Sequence, residues 1–181
     1  MKSILLSFAL VLATFSGVRA QLYSTQSGKL SFFSTTPVED ISAHSEKCLA
    51  VLSVEKREMA FSVSNPSFEF KNKLMQEHFN EKYIESEKYP NSTFKCKINE
   101  QIDLTKDGEY PVTVTGKLNV HGVERERVIN GVITVKDKKI TIKAEFKVMV
   151  ADHKITIPKL VIANIAEEIT VKIDAVLMMK Q

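Results

Sequence analysis

No tryptophan, six glycines and two cysteines are spread over 181 residues, and this scarcity excludes several kinds of chemistry. The glycines form no phosphate-binding loop, and no nucleophile elbow marks a serine for acyl transfer. Cys48 and Cys96 stand far apart, with neither CxxC nor zinc-ligand spacing, so metal or redox chemistry through them is disfavoured. The four histidines, His44, His78, His121 and His153, make no two-histidine helical motif and no carboxylate-supported cluster. The remaining acidic groups, such as Glu167-Glu168, read as solvated loop charges. Nothing here predicts an enzyme, a cofactor or a metal.

The formal charge is +3, and it falls to +1 if Lys2 and Arg19 are removed with a leader. A chain so near neutrality has no electrostatic footprint for nucleic acid. The leader itself is legible in residues 1–20. Lys2 supplies a positive start, Ile4 to Phe15 an apolar run, and Val18-Arg19-Ala20 a small-residue end suited to cleavage. That run is shorter than the roughly 20 residues of a membrane span, which disfavours an uncleaved anchor. The expectation is export, with Gln21 as the mature N-terminus and residues 21–181 as one domain with one core. No later segment reaches the length of a membrane span.

Export places the two cysteines in an oxidising compartment, where an even count permits a bridge. Cys96 also alternates in phase with Phe94 and Ile98, as a small buried hydrophobe would. Both readings stay open on sequence.

Period-two alternation dominates from Lys29 onward. Leu30 to Ser34 and Ile41 to Leu52 read as strands about Thr35-Thr36-Pro37, and Met59, Phe61 and Val63 share one face of a third. Phe94 to Leu104 reads as another strand, followed by a Lys106-Asp107-Gly108 turn whose Asp-Gly supplies the positive φ of a tight hairpin. Bends are expected at His121-Gly122-Val123 and Asp137-Lys138-Lys139. Ile140 to Val150 alternates most cleanly, and Ile169 to Leu177 repeats the pattern.

One stretch differs. Leu74, Met75, His78 and Phe79 recur at three- and four-residue spacing opposite Gln76, Glu77, Asn80, Glu81 and Lys82, which predicts about two turns of amphipathic helix ending near Tyr83. Pro90 forces Tyr89 into an extended conformation before Phe94 opens the next strand. About eight strands, several of them long, with one short helix predict an all-β fold, and closure into an antiparallel β-barrel removes the exposed edges. The inward residues include Gly116, Ala144 and many that are β-branched, which permits an internal cavity.

Several stretches in this order carry a resemblance. Met75-Gln76-Glu77-His78-Phe79-Asn80, then Tyr83, Glu87-Lys88-Tyr89-Pro90 and Thr93-Phe94 form the first group. Val114 to Val123 (VTGKLNVHGV), and later Asp152, Ile155 and Pro158, complete it. From about Lys29 to Leu177 the chain resembles the YceI-like family of exported lipid- and polyisoprenoid-binding proteins. It departs from the family pattern at Cys96, where glycine is more usual, and at His153-Lys154.

The resemblance implies an extended, lipocalin-like barrel that holds a long apolar chain, an isoprenoid or acyl lipid. It also implies a periplasmic or secreted carrier without a catalytic centre. On that reading Leu74, Met75, Phe79, Tyr83, Tyr89 and Phe94 face the ligand at the barrel mouth, with His78 as a polar anchor and Ile98 further along the wall. The competing reading makes the apolar residues ordinary core and the histidines hydrogen-bonded structural groups. A filled barrel acting as a cell-envelope interaction protein is the alternative function, and a homodimer stays among the alternatives for assembly. Asn91-Ser92-Thr93 fits a glycosylation sequon and reads as coincidence in an exported bacterial protein.

Overall fold

The computed structural model describes residues 21–158 and 166–180, so the expected leader lies outside the described residues. Nine strands follow in order: β1 (Leu22–Thr35), β2 (Asp40–Ser53), β3 (Glu58–Ser64), the two-residue β4 (Glu69–Phe70), β5 (Asn91–Ile98), β6 (Gly108–Val120), β7 (Val123–Lys136), β8 (Lys139–Met149) and β9 (Glu168–Met179). All pairings are antiparallel in the order β1-β9-β8-β7-β6-β5-β3-β2, and β1 pairs again with β2 to close the ring. Eight strands therefore make the barrel, and β4 is a short addition beside the start of β2.

Alternation sets the inner face: Met59, Phe61 and Val63 on β3, Phe94, Cys96 and Ile98 on β5, and Ile140, Ile142, Phe146 and Val148 on β8. In β1 and β2 the inward phase changes midway. Ala43 and Ser45 point in, and after a slip it is Cys48, Ala50 and Leu52 that do so, opposite the register shifts flanking Gly28. A bulge reverses the phase in this way, because one extra residue carries every later side chain to the other face. The polar run Ser24-Thr25-Gln26-Ser27 hides the first half of β1, which begins at Leu22 rather than near Lys29.

Two turns are as expected. His121 and Gly122 have φ of 52° and 69°, and Asp137 and Lys138 have 50° and 61°, the paired left-handed residues of tight hairpins. The Asp107-Gly108 turn is a correction. Gly108 has no positive φ, β5 ends at Ile98, and residues 99–107 form a loop folded under the barrel. That loop buries Leu104, and the Glu100 carboxylate accepts the Thr113 N–H at 2.9 Å. The hydrophobic demand of the barrel base has overridden the local turn signal.

The helical stretch ends at Tyr83 as expected, but only its first part is α-helix. Asn72 caps α1 (Lys73–His78) by accepting the Leu74 N–H at 2.9 Å, and the chain then widens into a π-turn over Phe79–Tyr83, closed by Ile84 N–H to Phe79 O at 2.8 Å. No residue of either element is buried.

The interior divides into two halves. The end where β2 finishes and β3 begins is packed solid by Leu52, Ile98, Leu104, Ile140 and Leu177, each at most 1 % exposed. The opposite end, under α1 and the π-turn, is hollow.

Candidate functional site

The hollow end holds a cavity of about 360 Å³. Its floor is made by Cys48, Met59, Ile133 and Ile142, resting on the solid base; its walls include Phe61, Phe94, Val114 and Ile129. At the mouth Phe79 swings in from the π-turn to meet three other rings. Its centroid lies 5.1 Å from Phe70, 5.5 Å from Phe32 and 5.7 Å from Phe68. Offset and edge-on ring pairs of this kind contribute about 0.5 to 1.5 kcal/mol each beyond the area they bury. Phe79 thus ties the lid to the mouth, together with Ile84, buried just after the π-turn.

Of the residues read from sequence as ligand-facing, Met75, His78, Phe79, Tyr83 and Phe94 line this cavity. Leu74, Tyr89 and Ile98 do not. Leu74 is 56 % exposed, because it lies about 100° round the helix from Met75 and projects beyond the rim. Tyr89 packs against the β6–β7 hairpin, its ring 4.6 Å from that of His121 and over Gly122. Ile98 points inward as its phase requires, but it belongs to the solid base. Phe32, Phe68 and Phe70 complete the aromatic mouth, and no pattern in the sequence joined them to it.

Polar groups gather at the same end and are mostly engaged with one another. Asn65, 1 % exposed, donates to Tyr89 O at 2.6 Å and accepts from Ser92 Oγ at 2.8 Å. Ser34 Oγ accepts the Ala166 N–H at 2.8 Å. No group of three or more histidine, cysteine or acidic residues able to hold a metal occurs among the described residues. Both cysteines are free and buried, and desolvation pushes Cys48 up to about 11 and Cys96 to about 12, leaving thiols rather than nucleophilic thiolates.

Beside the mouth, β7 and β8 part company. They are paired only from Gly131↔Ala144 to Lys136↔Lys139, and the fork above is occupied by the turn Val150–His153. Arg127 Nη2 reaches Asp152 Oδ2 at 2.6 Å, and Arg125 Nε donates to Asp152 O at 2.8 Å. His121 faces two acceptors, His153 O through Nδ1 and the Glu85 carboxylate through Nε2, so the hairpin tip joins the loop after the π-turn to the fork.

His153 is wholly buried, with Nδ1 donating to Val123 O at 2.9 Å and Nε2 without a partner. Burial, partly offset by the Val123 hydrogen bond and reinforced by nearby Arg127, lowers its pKa below the ordinary 6.5. The unfolded chain therefore binds a proton that the folded one refuses. Stability is full above pH 6.5 and falls as the pH drops from there toward the depressed folded value, by at most about 1.4 kcal/mol per pH unit. Melting temperatures between pH 7 and 5, above the ordinary carboxylate value of 4.5, should fall in the wild type and flatten in His153→Gln. Equal slopes in the two proteins would assign the acid sensitivity elsewhere.

A closed antiparallel barrel with an apolar chamber at one end is a lipocalin-like architecture. The model of the YceI-like domain matches residues 11–177, and the chain belongs to that family. Among solved structures, a polyisoprenoid binding domain from Saccharophagus degradans implicated in plant cell wall breakdown superposes with a TM-score of 0.75 at 13 % identity, covering 90 % of this chain and 100 % of that one. Burkholderia cenocepacia BcnA gives 0.71 at 14 % identity over 83 % of this chain and 95 % of its own. A Campylobacter jejuni YCEI protein gives 0.57 at 18 % identity, covering 100 % and 99 %. No curated protein sequence matches the chain. At these identities the likeness is one of fold.

Proposed function

We propose that this protein is an exported, non-enzymatic binding protein that encloses a long apolar chain, a polyisoprenoid or fatty-acyl lipid, in the hollow end of its barrel. The observation that carries this reading is the apolar chamber itself, sealed below by close-packed aliphatic side chains and covered above by four phenylalanine rings. A filled barrel would have no use for such a lid. The structural neighbour described as a polyisoprenoid binding domain supports the same ligand class. The expected leader in residues 1–20 supports a periplasmic or secreted location, and no helix among the described residues is long and apolar enough to cross a membrane.

Consider about a dozen chain carbons taken from water into the chamber. Burial contributes about 0.8 kcal/mol for each, or roughly 10 kcal/mol gross, before the cost of ordering the chain and immobilising it. Micromolar or tighter binding follows without a charged clamp. A longer isoprenoid leaves the remainder of its length at the mouth.

Organic extracts of protein purified from its native host, analysed by mass spectrometry, should contain a prenyl or acyl species at near one-to-one stoichiometry. Protein that comes away free of lipid, and that does not take up a fluorescent long-chain probe once purified, would refute the proposal.

A further inference from the structure

The division between chamber and base does more than leave room for a ligand. Polarity is graded along the barrel axis: Ser34, Asn65, His78, Tyr83 and Ser92 border the cavity at the mouth, whereas the floor presents only aliphatic and sulfur-bearing side chains. An amphiphile placed with its head at the floor would strip a polar group of water with nothing to replace it, so the apolar end goes in first. Below the floor lie Leu52, Ile98, Ile140 and Leu177, none more than 1 % exposed. Close-packed interiors resist intrusion by further carbons, because each extra methylene displaces neighbours from their rotamers.

The geometry points to the floor as a ruler of chain length, with Ile133 and Ala144 as its specificity-determining residues; this rests on the binding function proposed above. Ile133 is fully buried and borders the cavity, so its side chain separates chamber from base. Ala144, one register step above at the Gly131↔Ala144 pair, points inward in phase with Ile142 and Phe146 and holds open the space that a larger residue would fill. Gly131 itself cannot serve, because a Cβ there would lie 2.9 Å from the Lys143 carbonyl. Carbons up to the capacity of the chamber are buried and add affinity. Carbons beyond it stay at the wet mouth and add little.

Titration of the delipidated protein with straight-chain fatty acids of increasing length tests this. In the wild type, affinity should rise about fourfold per carbon and level off near the length that fills the chamber. Ile133→Ala deletes three side-chain carbons from the floor and should move the levelling-off point up by about three carbons. Ala144→Leu adds three and should move it down by about as many. Thermal melts establish that each variant is folded, and Ile133→Val, expected to shift the point by about one carbon, replaces the alanine variant if that one does not fold. A levelling-off length that stays fixed in folded variants at both positions overturns the ruler and leaves the binding function standing. Failure of every fatty acid and of a prenyl chain to bind any of these proteins overturns both.

Discussion

Phe79→Ala should loosen the grip on an apolar chain by about tenfold while lowering the stability of the empty barrel by less than truncation of a wall residue does. Neither α1 nor the π-turn buries a residue, and the Phe79 ring joins them to Phe32, Phe68 and Phe70 at the mouth. Removing that ring frees the lid without opening the wall, and a loss of about 1.4 kcal/mol of contact is a factor of ten in affinity. The effect should fall on release more than on capture, as for most changes within one binding surface. Phe94→Ala provides the contrast. Phe94 is 9 % exposed on β5 and stacks on Phe61 with centroids 6.5 Å apart, inside the wall. Its truncation should cost about 3 to 5 kcal/mol, or roughly 10 °C in melting temperature, with affinity declining as the wall deforms. Probe titration beside thermal melts of the delipidated proteins separates the two roles. Probe binding unchanged in both variants would end the case for a gated site.

An equally large effect is expected from one added methyl group at Gly116. A Cβ built there would sit 2.2 Å from Lys95 O, 2.4 Å from Cys96 Cβ and 2.5 Å from Cys96 Cα, on the neighbouring strand β5. None of these atoms can rotate away, because they belong to the backbone or are attached directly to it. Gly116→Ala must therefore force β5 and β6 apart at the Cys96↔Gly116 pair. Overpacking at a rigid site costs about 3 kcal/mol, which for a domain of this size lowers melting by roughly 6 to 12 °C. Denaturant unfolding gives an independent value. A variant that melts within a degree or two of the wild type would show that the barrel yields at this corner more easily than its packing suggests.

Gly116 and Phe94 also show how much of the molecule could be read beforehand. Alternation identifies which way a strand residue points, and it placed Phe94, Cys96 and Ile98 on the inner face together. It carries no information about height along the barrel axis. Phe94 consequently borders the chamber, whereas Ile98, four residues further along β5, belongs to the solid base. Helical spacing was similarly informative for Met75, His78 and Phe79 and misleading for Leu74, whose side of the helix overhangs the rim. Tyr89 depended on a loop conformation that no periodicity describes. The aromatic cluster could not be assembled from sequence, because Phe32 comes from β1 and meets Phe68, Phe70 and Phe79 only after the barrel closes. The resemblance to the YceI-like family captured the architecture because it drew on the order of motifs over nearly the whole chain.

The solid base has a consequence for how such a protein could be used repeatedly. Cooperative strength concentrated below the chamber means that an occupant adds to stability through its own binding equilibrium, RT ln(1 + [L]/Kd), and is not a condition of folding. If the proposed binding function holds, loading and discharge are changes in a small covered compartment, and the empty vessel persists between them. Its lifetime is limited by proteolysis or acid exposure of the whole fold, and not by the interval between one cargo and the next.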